Sequence, residues 1–217
     1  QRQMCIRDRY VAHALKNDLN KIDWCAALLD EQLPENRELQ IIRGSVNHLR
    51  ALLQRTRMHT GRVVLSPGDC DVRALFEQII RETPHTDALR IEIDRCDDAP
   101  LYCDPSHVRE ALTNLVGNAV EAMRGSGRIT LSYVRTAHKA SISVCDDGPG
   151  MTLAAQKRIF EPYYTTKTSG ENFGLGLYYC QNVMNVHEGS IRVSSAPGKG
   201  CTFTLIFPLA AQGRRKP

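Results

Sequence analysis

No apolar run in these 217 residues approaches the ~20 residues that a bilayer-spanning helix needs, and no signal peptide opens the chain. The eight cysteines contain no Cys-x-x-Cys pair, so the spacing of a structural zinc site is missing. They fit reduced thiols and a cytosolic setting. Cys145 and Cys201 fall in apolar strand patterns, where a thiol behaves as a small hydrophobe. Charge of one sign is also scarce. The net value is +4, and the one basic cluster, Gly213-Arg-Arg-Lys-Pro217, reads as a solvated tail over 210–217. No nucleic-acid partner is therefore expected. The expected location is cytoplasmic, with any membrane attachment made through a region outside this chain.

What remains is an ordinary soluble composition, 42% hydrophobic and 24% charged, long enough for one medium domain and a smaller element. Residues 1–9 share no periodicity with the residues after them. They resemble artefactual translations at the ends of assembled sequence fragments and are set aside as a non-native leader. From Tyr10 the pattern is regular. Val11, Leu15, Leu19, Ile22, Ala26, Leu29 and Leu33 step by three or four, which predicts an amphipathic helix of about 24 residues. Pro34-Glu-Asn36 breaks it. Leu39, Ile42, Val46, Leu49 and Leu53 form a second stripe at heptad spacing. Two such helices make an antiparallel hairpin over 10–60. One apolar stripe cannot cover itself, so a second copy completing a four-helix bundle, hence a homodimer, is expected. His13 stands beside the stripe near the start of the first helix.

A linker is expected over 61–70, with a short strand at 62–65 and a Ser66-Pro-Gly turn. Asp71 can cap a helix carrying Val72, Leu75, Phe76, Ile79 and Ile80. Strands are expected at 89–93 and 101–103, then a helix begun by Asp104-Pro105. The pattern continues with a hairpin of strands at 128–134 and 139–145, a short helix at 152–159, an aperiodic polar segment over 161–173, a helix from Gly174 to His187, and strands at 190–195 and 201–209. The fold class is α+β: an N-terminal helical hairpin, then an α/β sandwich with helices on one face of a mixed sheet, the domain spanning 71–209.

Three stretches inside that domain carry the chemistry. In Glu110-Ala-Leu-Thr-Asn114-Leu-Val-Gly-Asn118 the asparagines stand four apart on one helix face. Ile142-Ser-Val-Cys-Asp146-Asp-Gly148-Pro-Gly150 is an alternating strand ending in an acid and a glycine turn. In Phe173-Gly174-Leu175-Gly176-Leu177 glycines open a helix, whose free N–H groups favour anions. Singly, each has an ordinary structural explanation; in this order, with the aperiodic segment 161–173 between the last two as a lid, they supply a metal ligand, a base reader and a phosphate cradle.

Here the chain resembles a known family, the ATP-binding domain of sensor histidine kinases within the gyrase/Hsp90/histidine kinase/MutL superfamily. Asn114 and Asn118 match its N box, and Asp146-x-Gly148-x-Gly150 its first glycine box. Phe160-Glu-Pro162 with Thr165-Thr166-Lys167 matches its F box, Gly174-Leu175-Gly176-Leu177 its second glycine box, and Gly198-Lys-Gly200-Cys-Thr202-Phe the closing one. The likeness covers residues 67–208 and implies a Bergerat-type sandwich that binds ATP with Mg²⁺. By that resemblance Asn118 is the metal ligand, assisted by Asn114 as a catalytic residue. Asp146 reads adenine, and Gly148 and Gly150 let the backbone approach the base. Gly174 to Leu177 hold phosphates with Lys167, and Thr202 supports the adenine end.

His13-Ala-Leu-Lys16-Asn17-Asp18-Leu resembles the family's H box, which makes His13 the phospho-acceptor and a response-regulator receiver domain the onward partner. Two positions depart from the pattern. Ala14 stands where the family has an acid that orients the ring, and Asp18 stands where it has proline. A neutral imidazole is a good phosphoryl acceptor. A nucleotide-binding scaffold without transfer, for which Ala14 speaks, and a serine kinase of the anti-sigma type are the competing readings.

Overall fold

The computed structural model describes residues 65–84, 88–165 and 174–209, together with Lys21, Ile22, Cys25, Leu29, Asn36, Leu39, Ile42, Ser45 and Val46. The chain divides into two compact units, residues 1–64 with 166–173, and residues 65–165 with 174–217. His13, Ala14 and Lys167, which carry the acceptor and lid expectations, lie outside the described residues.

In the first unit the described residues before Asn36 (Lys21, Ile22, Cys25 and Leu29) are helical, as are those after it (Leu39, Ile42, Ser45 and Val46). Asn36 itself is not, and its side-chain Oδ1 accepts from the Leu39 N–H at 3.0 Å. A short polar side chain at this spacing is a helix N-cap; Pro34 and Glu35, the rest of the expected break, lie outside the described residues.

The second unit begins with β1 (Gly68–Cys70), α1 (Val72–Glu82), β2 (Leu89–Cys96), β3 (Leu101–Cys103) and α2 (Pro105–Ala122). It continues through β4 (Gly127–Arg135), β5 (Lys139–Asp146), α3 (Leu153–Arg158), α4 (Gly176–Val186), β6 (Ser190–Ser195) and β7 (Cys201–Pro208). β1 pairs antiparallel with β3, and the other strands form one sheet in the order β2-β4-β5-β7-β6. Within it β2 runs parallel to β4 and the remaining pairs are antiparallel. A short strand near the start of this unit is Gly68–Cys70; of the strand expected at 62–65 only Leu65 lies among the described residues, and it is not in a strand. Pairing with β3 lets Cys70 bury its thiol beside Leu101 and Cys103.

Local chemistry accounts for most boundaries. Asp71 caps α1 by accepting from Ala74 N–H. Asp104 caps α2 through Oδ1, which accepts from Ser106 and His107 N–H at 3.0 and 3.1 Å, with proline at the first position of the helix. The sheet buries alternate residues on one face only. Ile129, Leu131 and Tyr133, Ile142 and Val144, and Phe203, Leu205 and Phe207 join Phe76, Leu112, Leu115, Val116, Val183 and Met184 from the helices in one core. That is the expected sandwich with helices on a single face of a mixed sheet.

Candidate nucleotide site

α2 is the axis of the site. Its apolar positions Val108, Ala111, Leu112, Leu115, Val116 and Ala119 are buried, and that fixes the rotation of the helix. Asn114 and Asn118 therefore emerge together from its half-buried flank. The Asn114 amide donates to the Glu110 carbonyl at 2.9 Å, leaving its Oδ1 to point away from its own helix. That oxygen faces the start of α4: a Cβ placed on Gly176 would sit 3.1 Å from it. The N-box asparagine and the second glycine box are thus neighbours, close enough that a Cβ at position 176 would press on the amide.

No side-chain cap closes the N-terminus of α4 among the described residues. Leu175 precedes it and has no side-chain acceptor for the first-turn N–H groups, the groups that bind anions at a helix start. Gly174 has φ 65°, and a Cβ there would lie 2.4 Å from the Tyr164 carbonyl oxygen. Only glycine fits, because the Tyr163 N–H donates to the Gly174 carbonyl at 3.1 Å and draws the two backbones together. One helical turn on, the Tyr179 hydroxyl donates to Glu110 Oε2 at 2.6 Å and lies 3.0 Å from His107 Nδ1, tying α4 to α2.

At the other end of α2, Met123 touches the first glycine box: a Cβ on Gly148 would be 3.2 Å from its Cγ and 2.7 Å from Asp146 Oδ1. Asp146, at the end of β5, is 6% exposed. Its Oδ1 accepts from the Gly148 N–H at 3.0 Å. Burial pushes the carboxyl above its ordinary range, against the pull of the Gly148 and Cys201 N–H groups. A buried carboxylate held by two backbone donors keeps acceptor capacity for one more donor in the pocket.

Two expectations meet a different arrangement. Thr202 pairs with Cys145, and Cys201 pairs with Asp146. Neighbours along a strand face opposite sides, so Thr202 turns away from Asp146 and its Oγ1 donates to Cys145 Sγ at 3.3 Å. Cys201 is the side chain that shares the face of Asp146. The inward alternation of Phe203, Leu205 and Phe207, legible in the sequence, leads back to Cys201 and away from Thr202. The same alternation exposes Cys145, which is therefore no buried hydrophobe, because Asp146 occupies the core-facing position.

The profile of the histidine kinase-, DNA gyrase B-, and HSP90-like ATPases matches residues 103–211. This chain belongs to that family. The ATPase is 32% identical over 213 residues to the signal transduction histidine-protein kinase AtoS of Escherichia coli (strain K12), covering 94% of this chain and 35% of that protein. It is 38% identical over 126 residues to the adaptive-response sensory kinase SasA of Crocosphaera subtropica (strain ATCC 51142 / BH68), covering 56% of this chain and 33% of that one. Among solved structures, full-length ShkA in complex with AMPPNP is similar with a TM-score of 0.74 and 25% identity, over 96% of this chain and 47% of that one. The chain thus spans between a third and a half of the length of these relatives.

The residues of this ATPase fit its nucleotide. Gly148, Gly174 and Gly176 clear space that any Cβ would fill, the α4 N-terminus is open to phosphate, and a buried carboxylate waits at the far end. A cation fits as well, on the donors available. No group of three His, Cys, Asp or Glu side chains stands together among the described residues. The amide oxygen of Asn118, with Asn114 beside it, and nucleotide phosphates would hold it, a hard-oxygen set suited to Mg²⁺. No helix among the described residues is long and apolar enough to cross a membrane.

Proposed function

We propose that this chain is the phosphorylating core of a sensor histidine kinase, transferring the terminal phosphoryl group of ATP to His13 and from there to an aspartate of a response-regulator receiver domain. The observation that carries the reading is the convergence on α2, with Asn114 against Gly176 at one end and Met123 against the Asp146–Gly148 turn at the other. One helix thereby sets the distance between the phosphate cradle and the base reader. The names of the relatives point the same way.

In this scheme Asp146 accepts from the exocyclic amine of adenine, a donor that guanine lacks at that position. The N–H groups at the start of α4, freed by Gly174 and Gly176, bind the phosphates together with Leu175, Leu177 and the lid residue Lys167. Asn118 would hold Mg²⁺ through its amide oxygen with Asn114 beside it; the ion, when bound, would offset the charge of the phosphates during transfer. An imidazole nitrogen of His13 forms the new P–N bond as the bond from the terminal phosphorus to its bridging oxygen breaks, releasing ADP. An amide at position 114 cannot deprotonate water, which favours transfer over hydrolysis. The P–N bond is of high energy, which makes phosphohistidine a competent donor to a carboxylate.

A homodimer through the hairpin is part of the proposal. Ile22, Leu29 and Ile42 are 45%, 44% and 42% exposed, apolar surface that a second copy would cover. A cytoplasmic location and a sensor region beyond this chain complete it. Ala14 favours one other reading, a nucleotide-binding scaffold.

The test is incubation with γ-labelled ATP and Mg²⁺ beside His13→Gln and Asn118→Ala. Acid-labile, base-stable label on the parent, absent from both variants, is expected. Label that survives His13→Gln moves the acceptor elsewhere. ATP binding with no label on the parent puts the scaffold first, and Ala14→Glu is then the change to make.

A further inference from the structure

We infer that Ser195 and Gln156 are positioning residues for the adenine end of the site: they clamp the loop after Asp146 to the turn before Cys201, and so set the aim of the Asp146 carboxyl. The inference rests on the reading of Asp146 as the adenine acceptor.

The loop leaving β5 and the β6–β7 turn have no regular pairing of their own, yet they are held in close register. Ser195, at the end of β6, has a half-buried hydroxyl with three neighbours. It accepts from the Met151 N–H at 2.8 Å, donates to the Gly200 carbonyl at 2.7 Å and lies 3.1 Å from Cys201 Sγ. One hydroxyl has one proton and two lone pairs. With the proton given to Gly200, Met151 and the Cys201 thiol are the donors, and the capacity of the oxygen is filled. Gln156, on α3, adds a second strap: its Nε2 donates to the Met151 carbonyl at 3.1 Å and the Ser195 carbonyl at 2.9 Å. The Gly198 N–H donates to the Pro149 carbonyl at 2.7 Å beside them.

The clamp matters to the site because of how closely the two loops pass. A Cβ at Gly200 would lie 1.9 Å from the Asp146 carbonyl oxygen, and one at Gly150 would lie 1.9 Å from that of Ala196. Backbones this near transmit a displacement directly, since neither can move without the other. Cys201, next to Gly200, pairs with Asp146 across the ladder. Releasing Ser195 therefore frees both the Gly148–Met151 loop that holds one side of the carboxyl and the residue opposite it. The clamp is built from β6, α3 and these two loops, apart from the start of α4, so the phosphate end is untouched.

The test measures dissociation constants on the full chain by titration calorimetry, with ATP and with inorganic tripolyphosphate as the probe of the phosphate end. Ser195→Ala leaves the Met151 N–H and the Gly200 carbonyl without this partner and is expected to weaken ATP about tenfold while tripolyphosphate changes less than about twofold. Ser195→Thr, which keeps the hydroxyl, should restore ATP binding. Gln156→Ala should show the same ATP-selective loss, and the double variant less than the product of the two single losses. Unchanged ATP affinity in Ser195→Ala, or equal weakening of ATP and tripolyphosphate, overturns the assignment. If Ser195→Ala does not fold, Gln156→Ala carries the same comparison. If instead Asp146→Asn binds ATP as tightly as the parent, the adenine-acceptor reading falls and the clamp falls with it.

Discussion

Replacing Asp146 by Asn removes a charge from the end of β5 while keeping the side chain's shape, and it should separate binding from stability. The carboxylate has two acceptor oxygens; one takes the Gly148 N–H at 3.0 Å, which leaves acceptor capacity for the adenine amine. An amide has one oxygen. If that oxygen keeps Gly148, an NH₂ group faces the adenine NH₂, donor against donor. A hydrogen bond to a charged group is worth about 1.5–3 kcal/mol, so ATP affinity should fall roughly ten- to a hundredfold. Stability should move the other way. Burial raises the carboxyl above its ordinary range, which means that the folded state disfavours the ionised form. Below the ordinary pKa of about 3.9 both states are protonated and the group costs nothing. As the pH rises through the raised folded value the penalty develops in full, and near neutrality Asn escapes it. Calorimetric ATP titrations and thermal unfolding between about pH 4 and 7 provide the assay. The Tm of the variant without nucleotide should equal or exceed that of the parent, with a margin that widens as pH rises. An unchanged ATP affinity, or a variant that loses Tm increasingly toward neutral pH, would refute the reasoning.

Gly200→Ala should both unfold and disable the site. Gly200 has φ 69°, a left-handed conformation costing a residue with a Cβ about 1–2 kcal/mol. The added carbon also meets the Asp146 carbonyl at 1.9 Å, so a loss of more than about 2 kcal/mol in urea titrations is expected. Tyr179→Phe removes the donor to Glu110 and the hydroxyl beside His107 and should cost about 1–2 kcal/mol by the same measurement; a neutral result would mean that the α2–α4 tie is ornamental. Among the described cysteines, exposed Cys25 and Cys145 should react first in a thiol titration of the native protein. Cys103, whose thiol is pushed up by its contact with Cys70 and by burial, and Cys180, pushed up by burial, should react only on unfolding. Mass mapping of the labelled peptides checks the order.

Local signals carry far in this chain. Asp71 and Asp104-Pro105 announce two helices by capping chemistry alone, and the alternation through 128–134 and 139–145 announces a hairpin whose register the structure displays as Leu131 opposite Val144. The spacing of Asn114 and Asn118 is enough to put them on one face. Non-local pairing is not legible. Nothing in Leu89–Cys96 says that it runs parallel beside β4, or that β7 lies between β5 and β6. Thr202 marks the limit most clearly. The motif draws attention to a threonine, but the pleat decides which side of the sheet a residue serves, and the pleat presents Cys201. Ser195 and Gln156 stand outside every motif because their roles exist only once two distant loops meet.

Asp104 does more than cap a helix. Its second oxygen, Oδ2, accepts from the Ser66 N–H at 2.7 Å, and its own N–H donates to His187 Nε2 at 3.0 Å. Ser66 is the second residue of the ATP-binding unit. The point where the polypeptide enters this unit is therefore moored to the same carboxylate that begins the helix of Asn114 and Asn118. From Pro105 to Asn114 that helix is a stiff rod of about 14 Å. A pull on Ser66 would therefore act on a charge-assisted bond to the carboxylate that begins the rod carrying Asn114 and Asn118.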